Sequence, residues 1–146
     1  MESCRAIVAA AKVATLSTLT SDGFPYGSLV ALASDSIGRP LLLLSRLAEH
    51  TENLRARPEA SLLIGEQTPA GADPLAHGRV TLLGLCTLVP DEARAEARAT
   101  FLARQPSAST YVDFADFVFY RLEPRALRYV GGFGRMSWVN ADEYRR

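Results

Sequence analysis

Leu41–Pro58 reads LLLLSRLAEHTENLRARP. The four leucines closed by Ser45 are a short, bounded apolar run, which predicts a strand buried on both faces. After Ser45 the period changes. Leu47, the His50/Thr51 turn and Leu54 fit one face of a helix, and the helix must end before Pro58, whose ring removes a backbone donor and clashes with the preceding turn. A buried strand therefore runs almost directly into a helix. The first turn of such a helix offers free N–H groups and the positive end of the helix dipole. With His50, Thr51 and Arg46 beside it, the junction has the makings of an anion site: directed donors, a hydroxyl and a cation. The same residues also compose an ordinary capped helix with an exposed histidine.

Working outward, Ser3–Ala11 predicts a short helix with Ala6, Ile7 and Ala10 on one face and Ser3 as its cap. Val13–Thr20 alternates and is rich in β-formers. Ser21-Asp22-Gly23 signals a turn, and Pro25–Ala33 completes a hairpin with the preceding strand. A second turn, Asp35 to Pro40, leads into the leucine run. Beyond Pro58, Ala60–Gly65 predicts a fourth strand, Gln67–His77 a mobile loop and Arg79–Val89 a long fifth strand. Pro90-Asp91 opens a helix that runs to about Arg104 and stops at Pro106. Phe114–Leu122 predicts a sixth strand and Arg128–Gly131 a seventh. A glycine-rich bend, Trp138 and a polar tail, Val139–Arg146, follow. The expected fold is mainly β with a few helices, an antiparallel barrel of six to seven strands in a single domain, 1–146. Short turns between the first three strands disfavour a parallel sheet.

The 16 basic and 16 acidic residues cancel. That argues against a general nucleic-acid binder, which needs a basic excess to displace counterions. Lys12 is the only lysine, so the positive charge is carried almost wholly by arginine. The apolar runs are too short to cross a bilayer, and the N-terminus lacks the basic start and apolar core of a secretion signal, so a cytoplasmic protein is expected. Cys4 and Cys86 are far apart with no CxxC, which predicts two ordinary thiols rather than a disulfide or zinc site. His50 and His77 lack metal spacing with each other or with a cysteine, and no nucleophile elbow or phosphate-binding loop is present. No metal site and no catalytic acid or base is assigned.

Two further segments could meet a flat ligand. In Pro25–Ala33, alternation puts Tyr26, Ser28 and Val30 on one face and Gly27 and Leu29 on the other, with small residues that let the backbone approach a ring. In Tyr129–Trp138, YVGGFGRMSW, three glycines and two aromatics could cover a planar group. Each also reads as plain barrel strand or turn.

Together, LSRLAEHTENLRARPEASLLI and the ending RYVGGFG resemble the FMN-binding split-barrel family that includes pyridoxamine phosphate oxidase. They are most similar to its heme-utilisation branch, whose members carry SxLAxHTxNL. The resemblance covers nearly the whole chain. It implies a split β-barrel that dimerises, binds FMN between subunits and works as an oxidoreductase on an unspecified small molecule. It implies that Ser28, Leu29 and Val30 touch the flavin ring and ribityl chain, and that Leu44, Ser45 and Arg46 lie beside the cofactor. His50 and Thr51 would hold the phosphate and Arg79 would sit near the flavin. Gly132, Phe133 and Trp138 would approach from the second subunit. The Arg-Lys phosphate pair and the basic C-terminal motif of pyridoxamine phosphate oxidase have no counterpart, so pyridoxamine phosphate is a poor substrate candidate. Two alternatives stand beside the flavin reading: a heme-binding barrel with His50 or His77 as ligand, and a barrel that acts only as an interaction module.

Overall fold

A computed structural model describes residues 2–146. The chain is mainly β with four helices. Helix α1 (Glu2–Ala10) leads into the hairpin β1 (Val13–Leu19) and β2 (Pro25–Ala31), then β3 (Ala33–Ser34) and β4 (Pro40–Ser45). Helix α2 (Glu49–Ala56) and β5 (Glu59–Gly65) follow. The long strands β6 (Arg79–Leu88) and β7 (Phe117–Val130) flank α3 (Arg94–Arg104), and β8 (Met136–Asn140) and α4 (Ala141–Arg145) end the chain. The antiparallel sheet runs β2-β1-β5-β6-β7-β4-β3, with β8 also paired to β7.

The end strands of that path, β2 and β3, are consecutive in the chain, so the sheet must curl back on itself. The expected single strand Pro25–Ala33 breaks at Leu32. The Leu32 N–H donates to the Lys12 carbonyl (3.1 Å), and Gln105 Nε2 donates to both the Lys12 and Leu32 carbonyls (2.8 and 2.9 Å). These bonds hold the break open. Among the described residues no ladder joins β2 to β4, so the curled sheet is split along that line, as the resemblance implies.

Period-2 alternation fills the interior. Leu16, Val30, Leu42, Leu44, Leu62, Ile64, Val80, Leu82, Leu122 and Leu127 form one buried cluster with Cys4 and Cys86, both free thiols as expected. Burial pushes the Cys86 thiol up to about 12. A second cluster packs α3, through Ala97 and Phe101, on the opposite faces of β3, β4 and β7 at Ala33, Leu41 and Phe119. The two apolar faces of β4 are thus both covered, which is what the leucine run required.

The two strands expected from Phe114–Leu122 and Arg128–Gly131 are one, β7. Pro124 looks like a strand breaker, but it sits at a bulge where the register with β6 shifts between Leu83 and Gly84. Glycine is required there: a Cβ on Gly84 would stand 2.1 Å from the Glu123 carbonyl oxygen. Phe114 belongs to a turn before β7 and is exposed. The helix expected from Asp91 begins as a 3-10 turn and becomes α-helical at Arg94. The expected polar tail is structured instead. Asn140 caps α4 by accepting from the Glu143 N–H (2.9 Å), and the buried Tyr144 hydroxyl donates to the Gly38 carbonyl (2.5 Å). Arg145 pairs with Glu123 (2.7 Å), which also binds Arg39 (3.3 Å). The C-terminus therefore clamps the β3–β4 turn against β7. No helix among the described residues is long and apolar enough to cross a membrane.

Candidate functional site at the barrel split

The junction Ser45–Thr51 lies where β4 ends and the split opens. Ser45 stops the strand: its hydroxyl accepts from the Leu47 N–H (3.1 Å) and its carbonyl accepts from the Thr51 hydroxyl (2.6 Å). Helix α2 is thereby tied to the end of β4. A buried bond from Asn53 Nδ2 to Thr18 Oγ1 (3.0 Å) fastens the same helix to β1.

Held this way, α2 carries His50 across to the edge strand β2, where its Nδ1 lies 3.0 Å from Ser28 Oγ. The Ser28 hydroxyl is placed to donate to the Leu16 carbonyl (3.5 Å). Either neutral tautomer satisfies the contact, Nδ1–H donating to Ser28 or Nδ1 accepting the Ser28 proton, and the first leaves the lone pair on Nε2. Desolvation by burial lowers the His50 pKa below its ordinary 6.5 and favours the neutral ring.

The other expected site residues divide clearly. Val30 and Leu44 are core residues, so only their backbone can meet a ligand. Thr51 is buried with its hydroxyl proton committed to Ser45. Arg46 is exposed and its Nε donates to the Ala115 carbonyl (3.3 Å). Glu49 and Glu52 place two carboxylates on the first turn of α2.

A second group faces outward from the sheet. Leu29 pairs with Thr15, which also pairs with Leu63. Leu63 pairs with Thr81, Thr81 with Arg128, and Arg128 with Trp138. One row of outward side chains thus crosses six strands. It borders a groove of about 340 Å³ lined by Val13, Leu29, Leu63, Leu75 and Arg79. Arg79 donates to the Leu75 carbonyl (3.1 Å), and Arg128 stacks over the Trp138 ring at 5.3 Å. The glycine-rich bend reaches the same region: Gly132 is buried against the Ala76 carbonyl, next to His77, while Phe133 is exposed. Neither His50 nor His77 lines this groove, and no cluster of three metal-ligating side chains occurs among the described residues.

Sequence reasoning missed the Ser28–His50 and Thr18–Asn53 bonds. Their signal was present only as polar residues at inward positions of β1 and β2.

Known proteins resemble this chain closely. A non-canonical, chloroplastic heme oxygenase of Arabidopsis thaliana is 40% identical over 134 residues, covering 90% of this chain. This chain spans only 40% of that relative's length. The heme oxygenase HutZ of Vibrio cholerae is 25% identical over 137 residues, covering 90% of this chain and 76% of its own. A solved heme-binding protein from Mycobacterium smegmatis superposes with a TM-score of 0.92 at 39% identity, over 98% of this chain and 58% of that one. The relatives lie in the heme-utilisation branch to which the residue pattern pointed. The family described as "CREG, beta-barrel" matches residues 1–146, and this chain belongs to it.

Proposed function

We propose that this chain binds heme, and that it serves heme breakdown of the heme-oxygenase type. Of the readings drawn from the sequence, the heme alternative now stands ahead of the FMN oxidoreductase. The relatives at 40% and 39% identity are named for heme, whereas the flavin reading rests on likeness of fold. The observation that carries the proposal is the oriented, neutral His50. A ligating histidine needs a free lone pair on one ring nitrogen and an orienting hydrogen bond on the other. His50 has both in the tautomer whose Nδ1–H donates to Ser28. His77 makes no side-chain hydrogen bond among the described residues and stays the second candidate.

The surroundings fit the group. Heme is a large apolar disc with two carboxylates at one edge. The outward row offers exposed Leu29, Leu63 and Trp138, with Arg79 and Arg128 as cations for the carboxylates; it lies on the opposite face of β2 from Ser28 and His50, so one heme meets both only where a second copy brings its outward row to His50. Bound heme supplies iron that can activate dioxygen. In this reading His50 would hold the iron, and Arg79 and Arg128 would take the carboxylates.

The outward face also supports a homodimer. Val13, Leu29, Leu63, Met136 and Trp138 are 56, 76, 47, 61 and 62% exposed. Contiguous apolar surface of this kind marks an association face. A second copy covering it would complete the site.

Visible spectroscopy tests the cofactor directly. Hemin added to purified protein is expected to give a saturable Soret shift, and reductant with oxygen to bleach it. FMN added in parallel is expected to stay free. Tight FMN uptake with no Soret change would reverse the assignment.

A further inference from the structure

Helix α2, through Thr51, Leu54 and Arg55, also borders a second recess, about 430 Å³. Leu54 and Arg55 of α2, Leu88, Val118 and Tyr120 line it. Arg46, where β4 runs into the α2 junction, lines it too. Neither Ser28 nor His50 lines this space.

The recess is chemically unbalanced. Two guanidinium groups border it, and no carboxylate among the described residues lines it. Glu52 reaches Arg55 only at 3.6 Å and from the solvent side, where both side chains are well exposed. Arg46 uses its Nε on the Ala115 carbonyl, so its terminal nitrogens are free to donate. Tyr120 is only 5% exposed, and its hydroxyl reaches solvent at this recess. Apolar lining residues and two guanidinium groups with no carboxylate in the lining together describe a pocket for an anion with an apolar body.

We propose that this recess binds a small organic monocarboxylate, its carboxylate held between Arg46 and Arg55 and its apolar body against Tyr120, Leu88 and Val118. Arginine suits the role because its planar fork donates two parallel bonds to a carboxylate. The Tyr120 hydroxyl supplies a third donor. The site is separate from the heme reading and does not rest on it.

The test is an amide NMR titration of the full, heme-free chain with 2-naphthoate, and with 2-naphthalenemethanol as the neutral counterpart. The expected result is saturable shifts at Thr87, Leu88 and Val118, with the alcohol at least tenfold weaker. Arg46→Gln combined with Arg55→Gln is expected to weaken 2-naphthoate at least tenfold. Leu88→Trp, a change at a half-exposed position, fills the recess and abolishes binding. The proposal is overturned by shifts confined to other surfaces, by equal affinity for acid and alcohol, or by unchanged affinity in folded arginine variants.

Discussion

His50 Nδ1 lies 3.0 Å from Ser28 Oγ, and this contact joins α2 to the free edge of β2 across the barrel split. It sets the orientation of the imidazole. Ser28→Ala keeps the strand, because Ser28 is half-buried and its backbone still pairs with Leu16. It frees the ring to rotate. Heme affinity is expected to fall by roughly tenfold, the usual cost of losing an orienting partner. Hemin titration read at the Soret band measures this.

The same histidine predicts a pH dependence of stability. Burial lowers its folded-state pKa below the ordinary 6.5. Between the two values the unfolded chain binds more protons, so stability rises with pH through that window and levels off above it. Acidifying from neutrality below about pH 6.5 therefore weakens the fold. Urea unfolding across this range is expected to show the slope in the natural sequence and a flatter one in His50→Gln.

The outward row predicts association. Leu29→Arg and Leu63→Glu place charges on exposed side chains flanking Thr15, at no cost to the core. Both variants are expected to sediment as monomers with unchanged secondary structure, against a dimer for the natural sequence. A natural chain that sediments as a monomer at high concentration would remove the two-subunit site.

Much of the architecture was legible in local chemistry. The leucine run, the turn at Asp22-Gly23 and the stops at Pro58 and Pro106 place β4, the first hairpin, α2 and α3, because each depends on residues close in the chain. What escaped depends on partners far away. Strand β2 breaks at Leu32 because Gln105, 73 residues on, claims its carbonyl. Pro124 reads as a breaker, yet the opposing Gly84 gives the bulge room. Trp138 and Tyr144 look like a bend and a tail, but β7 pairs with the first and the β3–β4 turn receives the second. In the site, His50 stood out by type and position. Its partner Ser28 did not, because only the curl of the sheet brings them together.

The bulge itself can be tested. Gly84→Ala would drive a methyl group into the Glu123 carbonyl, with backbone on both sides and no flexible side chain to yield. Overpacking of this kind costs about 3 kcal/mol. Denaturant unfolding is expected to show a loss of that size. A change below about 1 kcal/mol would mean that β7 can shift its register freely.

Spectrophotometric hemin titration of His50→Ala beside the natural chain and His77→Ala probes the assigned ligand directly. The Soret shift is expected to vanish in His50→Ala and to persist in His77→Ala. An undiminished Soret shift in a folded His50→Ala variant would contradict the assignment of the iron ligand to the barrel split.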